Sequence, residues 1–358
     1  MIASFTSSRG RSVWLVLLAL GILAVAIGAM LFLGGYSPQA AATALWHGSL
    51  GSWYSITSAT LVRAVPLMLT GCAVAVAFRG GVFNIGAEGQ LLVGAAAAAA
   101  TALSLPSGGA LTICVALVAG ALAGGAWAAI AALLRARFGV LEVISTIMLN
   151  FVALHGVSYL VRGPLQEPTR IYPQSSTIAD ALQLPRFPGA GRLHVGLILA
   201  LILLAACGWI FRFTASGFRL QSVGQSPSAA ATAGLVDVRS VTMMAFLSSG
   251  ALAGLAGAVE VLGVTYALYE NISPGYGYTA IAVALLADLD PWRIVASATL
   301  FGALEAGGAA MQRDANIPSS FVSMIEALLL LAVVGTQTVR RRSRIDGIAE
   351  SDGAVTAT

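Results

Sequence analysis

The chain has 358 residues, 58% of them hydrophobic and only 9% charged, with a formal net charge of +4 and a mean hydropathy of +0.87. Soluble domains carry roughly 25% charged residues, so this composition excludes a water-soluble globule and describes a polytopic, all-α membrane protein. All 19 basic residues are arginines. Without lysine the chain itself can form neither a standard Walker A loop nor a Schiff base.

Cys72, Cys114 and Cys207 each lie inside an apolar run without ligand spacing, so they read as packed thiols rather than a disulfide or metal framework. His47, His155 and His194 are scattered and form no H-E-x-x-H pattern, which argues against a zinc hydrolase. No nucleophile–base set is evident, and a membrane-embedded enzyme is disfavoured.

Ten segments are predicted to span the bilayer: 13–33, 61–78, 85–104, 110–133, 142–161, 194–211, 241–262, 278–288, 292–310 and 319–337. Arg9 and Arg11 lead into a first run too long for a signal-peptide core and without a cleavage site, so it reads as a helix. The eighth segment is too short to cross alone, so part of the Gly- and Pro-containing stretch before it is expected at membrane depth. Residues 1–340 read as one transmembrane domain and 341–358 as a disordered tail.

Orientation follows the arginines, because positive loops stay in the cytoplasm. Arg9, Arg11, Arg79, Arg135, Arg137, Arg212, Arg219, Arg239, Arg293, Arg340, Arg341, Arg342 and Arg344 fall on one side of the ten spans. Arg162, Arg170, Arg186, Arg192 and Arg313 fall on the other, with Arg63 near its edge. Both termini are therefore expected in the cytoplasm. Residues 162–193 form the largest external loop, and 212–240 the largest internal one. Within the latter, Ser226 can cap a short helix, Pro227 suits its first turn and Gly234 can stop it. That pattern resembles a docking element more than a plain connector.

A weak internal repeat is present. GGVFNIGAEGQLLVGA at 80–95 opens the third span and PGYGYTAIAVALLAD at 274–288 opens the eighth. The offset of five spans gives them opposite orientations, pointing toward two inverted halves with interrupted helices along a solute path. Asn84 can cap the helix that follows it. Two roles stay open for Glu88: complementing the positive helix end, or lining the path. Glu142 and Asp288 sit at cytoplasmic span ends and read as solvated or Arg-paired, whereas Asn150 and His155 suit interhelical hydrogen bonds. Glu260, Glu305 and Glu326 lie deeper and leave a proton relay open. Trp53, Tyr54, Tyr266 and Tyr269 read as an interfacial belt. Tyr276 and Tyr278, flanking Gly277, are the candidates for stacking on a planar or ring-shaped solute.

Four ordered motifs carry a family resemblance. VFNIGAEGQLLVGA (82–95), LEVISTIMLNFVAL (141–154), FRLQSVGQSPSAAATAGL (218–235) and GYGYTAIAVALLADLDP (275–291) together resemble the permease subunits of bacterial ABC importers for branched-chain amino acids, sugars and nucleosides, in particular the nucleoside-type branch. The resemblance covers about residues 60–335. It implies a multi-pass permease of the bacterial inner membrane that binds no cofactor itself, with ATP and Mg on a cytoplasmic ABC ATPase. It also implies a second permease chain, a related paralogue rather than an identical copy, and a periplasmic or lipid-anchored solute-binding protein; no nucleic-acid partner is expected. The solute path is expected to involve Phe83, Asn84, Glu88, Gln90, Asn150, Tyr276 and Tyr278, and the ATPase contact Gln225, Ser226, Pro227, Ala229, Ala230 and Gly234. Leu141 and the run Ala287-Asp288-Leu289-Asp290 depart from the branch's usual residues and bear on gating. The alternative class is a proton-coupled secondary transporter using Glu88, Glu260 or Glu305.

Overall fold

In hydrocarbon every backbone N–H and C=O must find a partner within the chain, so segments this apolar default to helices. The computed structural model describes residues 18, 21–105, 109–234, 236–325, 327, 328, 331 and 335, which contain isolated bridges but no strand. The helices are α1 (Gly21–Leu33), α2 (Pro38–Ser49), α3 (Trp53–Arg79), α4 (Ala87–Ser104), α5 (Gly109–Phe138), α6 (Glu142–Arg162), α7 (Gly196–Phe213), α8 (Ala215–Gln225), α9 (Pro227–Thr232), α10 (Val238–Thr265), α11 (Tyr276–Leu286) and α12 (Pro291–Asp314). Nine of the ten predicted spans contain one of these helices, and residues 319–325 open the tenth. Part of that last segment, including Glu326, as well as Arg9, Arg11, the arginines from Arg340 on and the tail, lies outside the described residues.

Among the described residues six helices (α3, α5, α6, α7, α10 and α12) are long and apolar enough to cross a bilayer, and α1 with α2, bent by 116°, make a seventh if counted as one span. The chain is an all-α, multi-pass membrane protein. Glu88 and Gln90 at the start of α4, and the 11 residues of α11, keep those two helices out of that set.

Two helices were not expected. The Ser37 hydroxyl accepts the Ala40 N–H at 3.3 Å, and Pro38 occupies the first turn of α2. This is the same Ser-Pro device that starts α9 at Ser226-Pro227. Thr214 starts α8 by accepting the Gly217 N–H at 3.1 Å, so the 212–240 segment holds two short helices rather than one.

The chain divides into two compact units, Met1–Gly51 with Ala306–Thr358, and Ser52–Glu305. The first has its own core of Leu31, Ala41, Ala44, Met311, Ile317 and Val322. In the second, α4, α5 and α10 meet backbone to backbone. A Cβ at Gly94 would lie 2.2 Å from the Gly254 carbonyl oxygen, and one at Gly254 would lie 2.3 Å from the Gly120 oxygen. Small residues permit this approach, which van der Waals contact then stabilises where no hydrophobic drive separates helix from lipid. α5, α6 and α7 bury only 28% of their most apolar stretch, against 83% for α3, and so present hydrocarbon outward.

The 162–193 loop is a strap rather than a free excursion. The Ser175, Ile178 and Leu184 N–H groups donate to the carbonyls of Leu268, Tyr266 and Leu262 at 2.7, 2.8 and 2.9 Å. Those acceptors lie where α10 loosens into a π turn (Val261–Thr265) and then unwinds. The strap thereby satisfies backbone groups that the interrupted helix leaves open.

Gly254→Ala is expected to destabilise the protein by about 1–3 kcal/mol, because the added methyl meets backbone. Gly156, in the interior of α6 with nothing within 4 Å of a would-be Cβ, should accept Ala with a gain of about 0.5–1 kcal/mol. Thermal midpoints in detergent, read by size-exclusion chromatography, check both.

Candidate translocation site

α3 ends at Arg79, and Gly81 turns the chain with φ +68°. Residues 82–86 then run without helical structure into α4. Non-helical backbone at this depth needs side-chain partners. Asn84 supplies one set: its Oδ1 accepts from the Gly86 N–H and from Gln90 Nε2, each at 3.0 Å. Its Nδ2 donates to Gln90 Oε1 at 3.0 Å and to Ser249 Oγ at 2.9 Å. All four hydrogen-bonding positions of that amide are filled. The expected helix cap is thus corrected: Gly86 is the N-cap residue, without a side-chain cap bond, and Asn84 forms a turn two residues ahead of it. A solute can engage Asn84 only by displacing one of these partners.

Asn150 supplies the second set from α6. Its Oδ1 accepts the Gly89 N–H at 2.8 Å, while Nδ2 donates to the Ile85 carbonyl at 2.9 Å and the Tyr278 hydroxyl at 3.2 Å. One side chain therefore clamps the start of α4 on both sides and ties it to α11.

Glu88 makes the remaining link. Its Oε2 accepts the Gly277 N–H at 2.7 Å, in the first turn of α11. The Ser273 hydroxyl accepts the Gly275 and Tyr276 N–H groups at 3.1 and 3.0 Å. Each helix start carries roughly half a positive charge, and one carboxylate complements both. The approach is close enough that a Cβ on Gly277 would lie 2.2 Å from the Glu88 nitrogen.

The structure therefore brings Asn84, Glu88, Gln90, Asn150, Tyr276 and Tyr278 to one crossing. Tyr276 is buried, and Tyr278 is 46% exposed with its hydroxyl on Asn150. Phe83 does not join them: it is 55% exposed and packs edge-on to Phe78. Ser249 and Ser273 were not anticipated; each is a lone hydroxyl in an apolar or turn-like run, a pattern too common to single out. Glu142 and Asp288 are Arg-paired, with Arg135 and Arg293, each at 3.0 Å. Glu260 is buried at 3% exposure and its Oε2 has no hydrogen-bond partner among the described residues. No grouping of three or more potential metal ligands occurs among the described residues.

Two further features frame the crossing. On the strap side, Glu270 accepts from Arg162 Nε and Nη2 at 2.6 and 2.8 Å and from the Ser158 hydroxyl. At the far end of α7, Ser226 caps α9 through the Ala229 N–H at 3.3 Å, Pro227 takes its first position and Gly234 follows with φ +68°. Ala229 and Gln225 belong to the same pair of short helices, and Ala230 is the one buried residue of α9.

Residues 56–334 match the family described as the permease component of the branched-chain amino acid transport system. The chain belongs to this family. The permease is 38% identical over 324 residues to the guanosine ABC transporter permease protein NupP of Bacillus subtilis, covering 89% of this chain and 92% of the relative. It is 34% identical over 342 residues to the glucose ABC transporter permease protein TsgB13 of Haloferax volcanii, covering 93% and 88%. A third relative, the nucleoside ABC transporter permease protein NupB of Lactococcus lactis subsp. cremoris, is 31% identical over 339 residues, covering 91% and 92%. No solved structure matches the permease.

Asn150→Ala is expected to orphan the Gly89 N–H and the Ile85 carbonyl, lowering stability by about 1–3 kcal/mol for each buried group left unpaired. A fall in the detergent thermal midpoint is the readout. The Arg162 guanidinium holds the Glu270 carboxyl at about 2, below its ordinary value of 4.5. A depressed folded value means that the contact contributes fully above pH 4.5 and is lost as pH falls through about 2. The stability difference between the parent and Glu270→Gln should therefore stay constant from pH 8 to about 5 and shrink only below that.

Proposed function

We propose that this chain is the permease subunit of an ATP-binding cassette importer that carries nucleosides, or a related small polar solute such as a simple sugar, into the cell. The observation that carries the reading is the 38% identity to a guanosine permease over 89% of the chain. The glucose permease at 34% keeps sugars within the solute class. A crossing made of amides, hydroxyls and one carboxylate suits a neutral, hydrogen-bonding cargo, and a tyrosine half-exposed beside it can stack on a ring.

In this reading the chain sits in the bacterial inner membrane with both termini cytoplasmic, as its arginine distribution supports. An ABC ATPase carrying ATP and Mg docks on Gln225, Ser226, Pro227, Ala229, Ala230 and Gly234. A second, paralogous permease chain completes the path, and a periplasmic or lipid-anchored binding protein delivers solute to the face strapped by 162–193. Closure of the ATPase pair presses on α9, and the two halves of the path rock in response. Asn84, Glu88, Gln90, Asn150, Tyr276 and Tyr278 line or frame the moving part.

The unpartnered Glu260 oxygen favours one second reading, a proton-coupled carrier with Glu260 as the proton site. Radiolabelled nucleoside uptake separates the two. An importer stops on ATP depletion and tolerates a protonophore, whereas uptake that survives ATP depletion and collapses with the protonophore sinks the first reading. Gly234→Pro is incompatible with φ +68°, because proline is confined near −65°. With Pro227→Asp, it is expected to lower uptake by about tenfold or more while membrane insertion is unchanged.

A further inference from the structure

The coupling helices touch the remainder of their unit at a place where no side chain intervenes. Gly224, in the last turn of α8, lies directly on the end of α3. A Cβ there would stand 1.9 Å from the Arg79 carbonyl oxygen and 3.0 Å from the Gly81 nitrogen, and a Cβ on Gly81 would stand 3.0 Å from the Gly224 Cα. One turn earlier, Leu220 lies beneath Gly80, where a Cβ would meet its Cδ1 at 2.8 Å. Gly81 begins the non-helical run that holds Asn84 and ends at Gly86, so only Val82 and Phe83 separate the contact from the saturated amide.

The same corner reaches a second interrupted element. Arg79 Nε donates to the Leu289 carbonyl at 3.0 Å, just after α11, and its guanidinium lies 4.6 Å over the Phe211 ring at the end of α7. Gln221 of α8 donates to the Phe211 carbonyl at 2.8 Å. Asp288 and Leu289 both hold left-handed backbone, at φ +52° and +57°. The corner 79–81 thus meets α8, the end of α7, the approach to α4 and the exit of α11.

We propose that Gly224 and Gly81 form a backbone joint that passes displacement of α9 to residues 82–86, and from there to the Glu88–Gly277 contact. Close-packed backbone transmits movement without the slack that a side chain introduces by changing rotamer. Both glycines are positioning residues: they touch no solute and act through Asn84 and Glu88. The inference rests on the reading that α9 docks on an ATPase.

The test uses the complete importer, with its ATPase, second permease chain and binding protein, in proteoliposomes, scoring solute imported per ATP hydrolysed. Gly224→Ala is expected to cut that ratio at least about tenfold while the ATPase still co-purifies and is still stimulated. Should Gly224→Ala not assemble, Leu220→Ala removes a supporting contact without adding bulk, and a threefold or greater loss of the ratio is expected. Hydrogen exchange at residues 82–90 supplies a readout that general destabilisation would not move: in the parent it changes when ATP closes the ATPase pair, and in the variant it does not. A parental ratio together with a parental exchange response, in whichever of the two variants assembles, overturns the joint. A failure of the underlying reading looks different, because then the ATPase does not co-purify even with the parent chain and Pro227→Asp is silent. If Pro227→Asp uncouples and the joint variants do not, the docking stands and the joint falls.

Discussion

A carboxylate oxygen 2.7 Å from the amide of Gly277 is the contact around which the larger unit is arranged. Two helices begin side by side, and each leaves first-turn N–H groups that its own backbone cannot pair. Glu88 answers both ends with one charge. The contact requires a residue without a side chain at 277, an α4 start that is held still, and a path for the backbone between Gly81 and Gly86. Asn150, Asn84, Gln90 and Ser249 provide the second and third of these. The polar groups that stand out in GGVFNIGAEGQLLVGA therefore serve the backbone first.

Much of the fold was legible because hydropathy reports helices well when the solvent is lipid. Nine of the predicted segments hold a helix because apolar runs alone place helices. Among the described residues, however, six helices, or seven with the bent α1–α2 pair, are long and apolar enough to cross a bilayer, and the short eighth segment holds the 11-residue α11. The α9 start was readable for a local reason: Ser226, Pro227 and Gly234 each carry a conformational preference that acts over a few residues. The same Ser-Pro signal at 37–38 starts α2, whereas Thr214 caps in α8 a helix of mixed character with no apolar run behind it to announce it.

The candidate site was legible as a set of residues and not as an arrangement. That Asn84 pairs with Gln90 depends on a turn, and that it meets Ser249 depends on a contact between residues 165 positions apart. Glu88 drew attention as a charge in hydrocarbon, yet its partner is a backbone amide, which has no letter of its own in a sequence. Phe83 shows the converse: it neighbours Asn84 in the chain and points elsewhere, because side chains in a non-helical run do not share a face.

The α9 helix has six residues and one of them is buried. Isolated helices shorter than about 12–15 residues are marginal, so little within α9 opposes its unwinding. Its order depends on contacts beyond its own six residues. A subunit awaiting assembly should therefore offer 226–234 as the stretch a membrane protease reaches first, and a docked partner should hide it. The same economy of residues would mark any copy in which α9 stays uncovered for disposal.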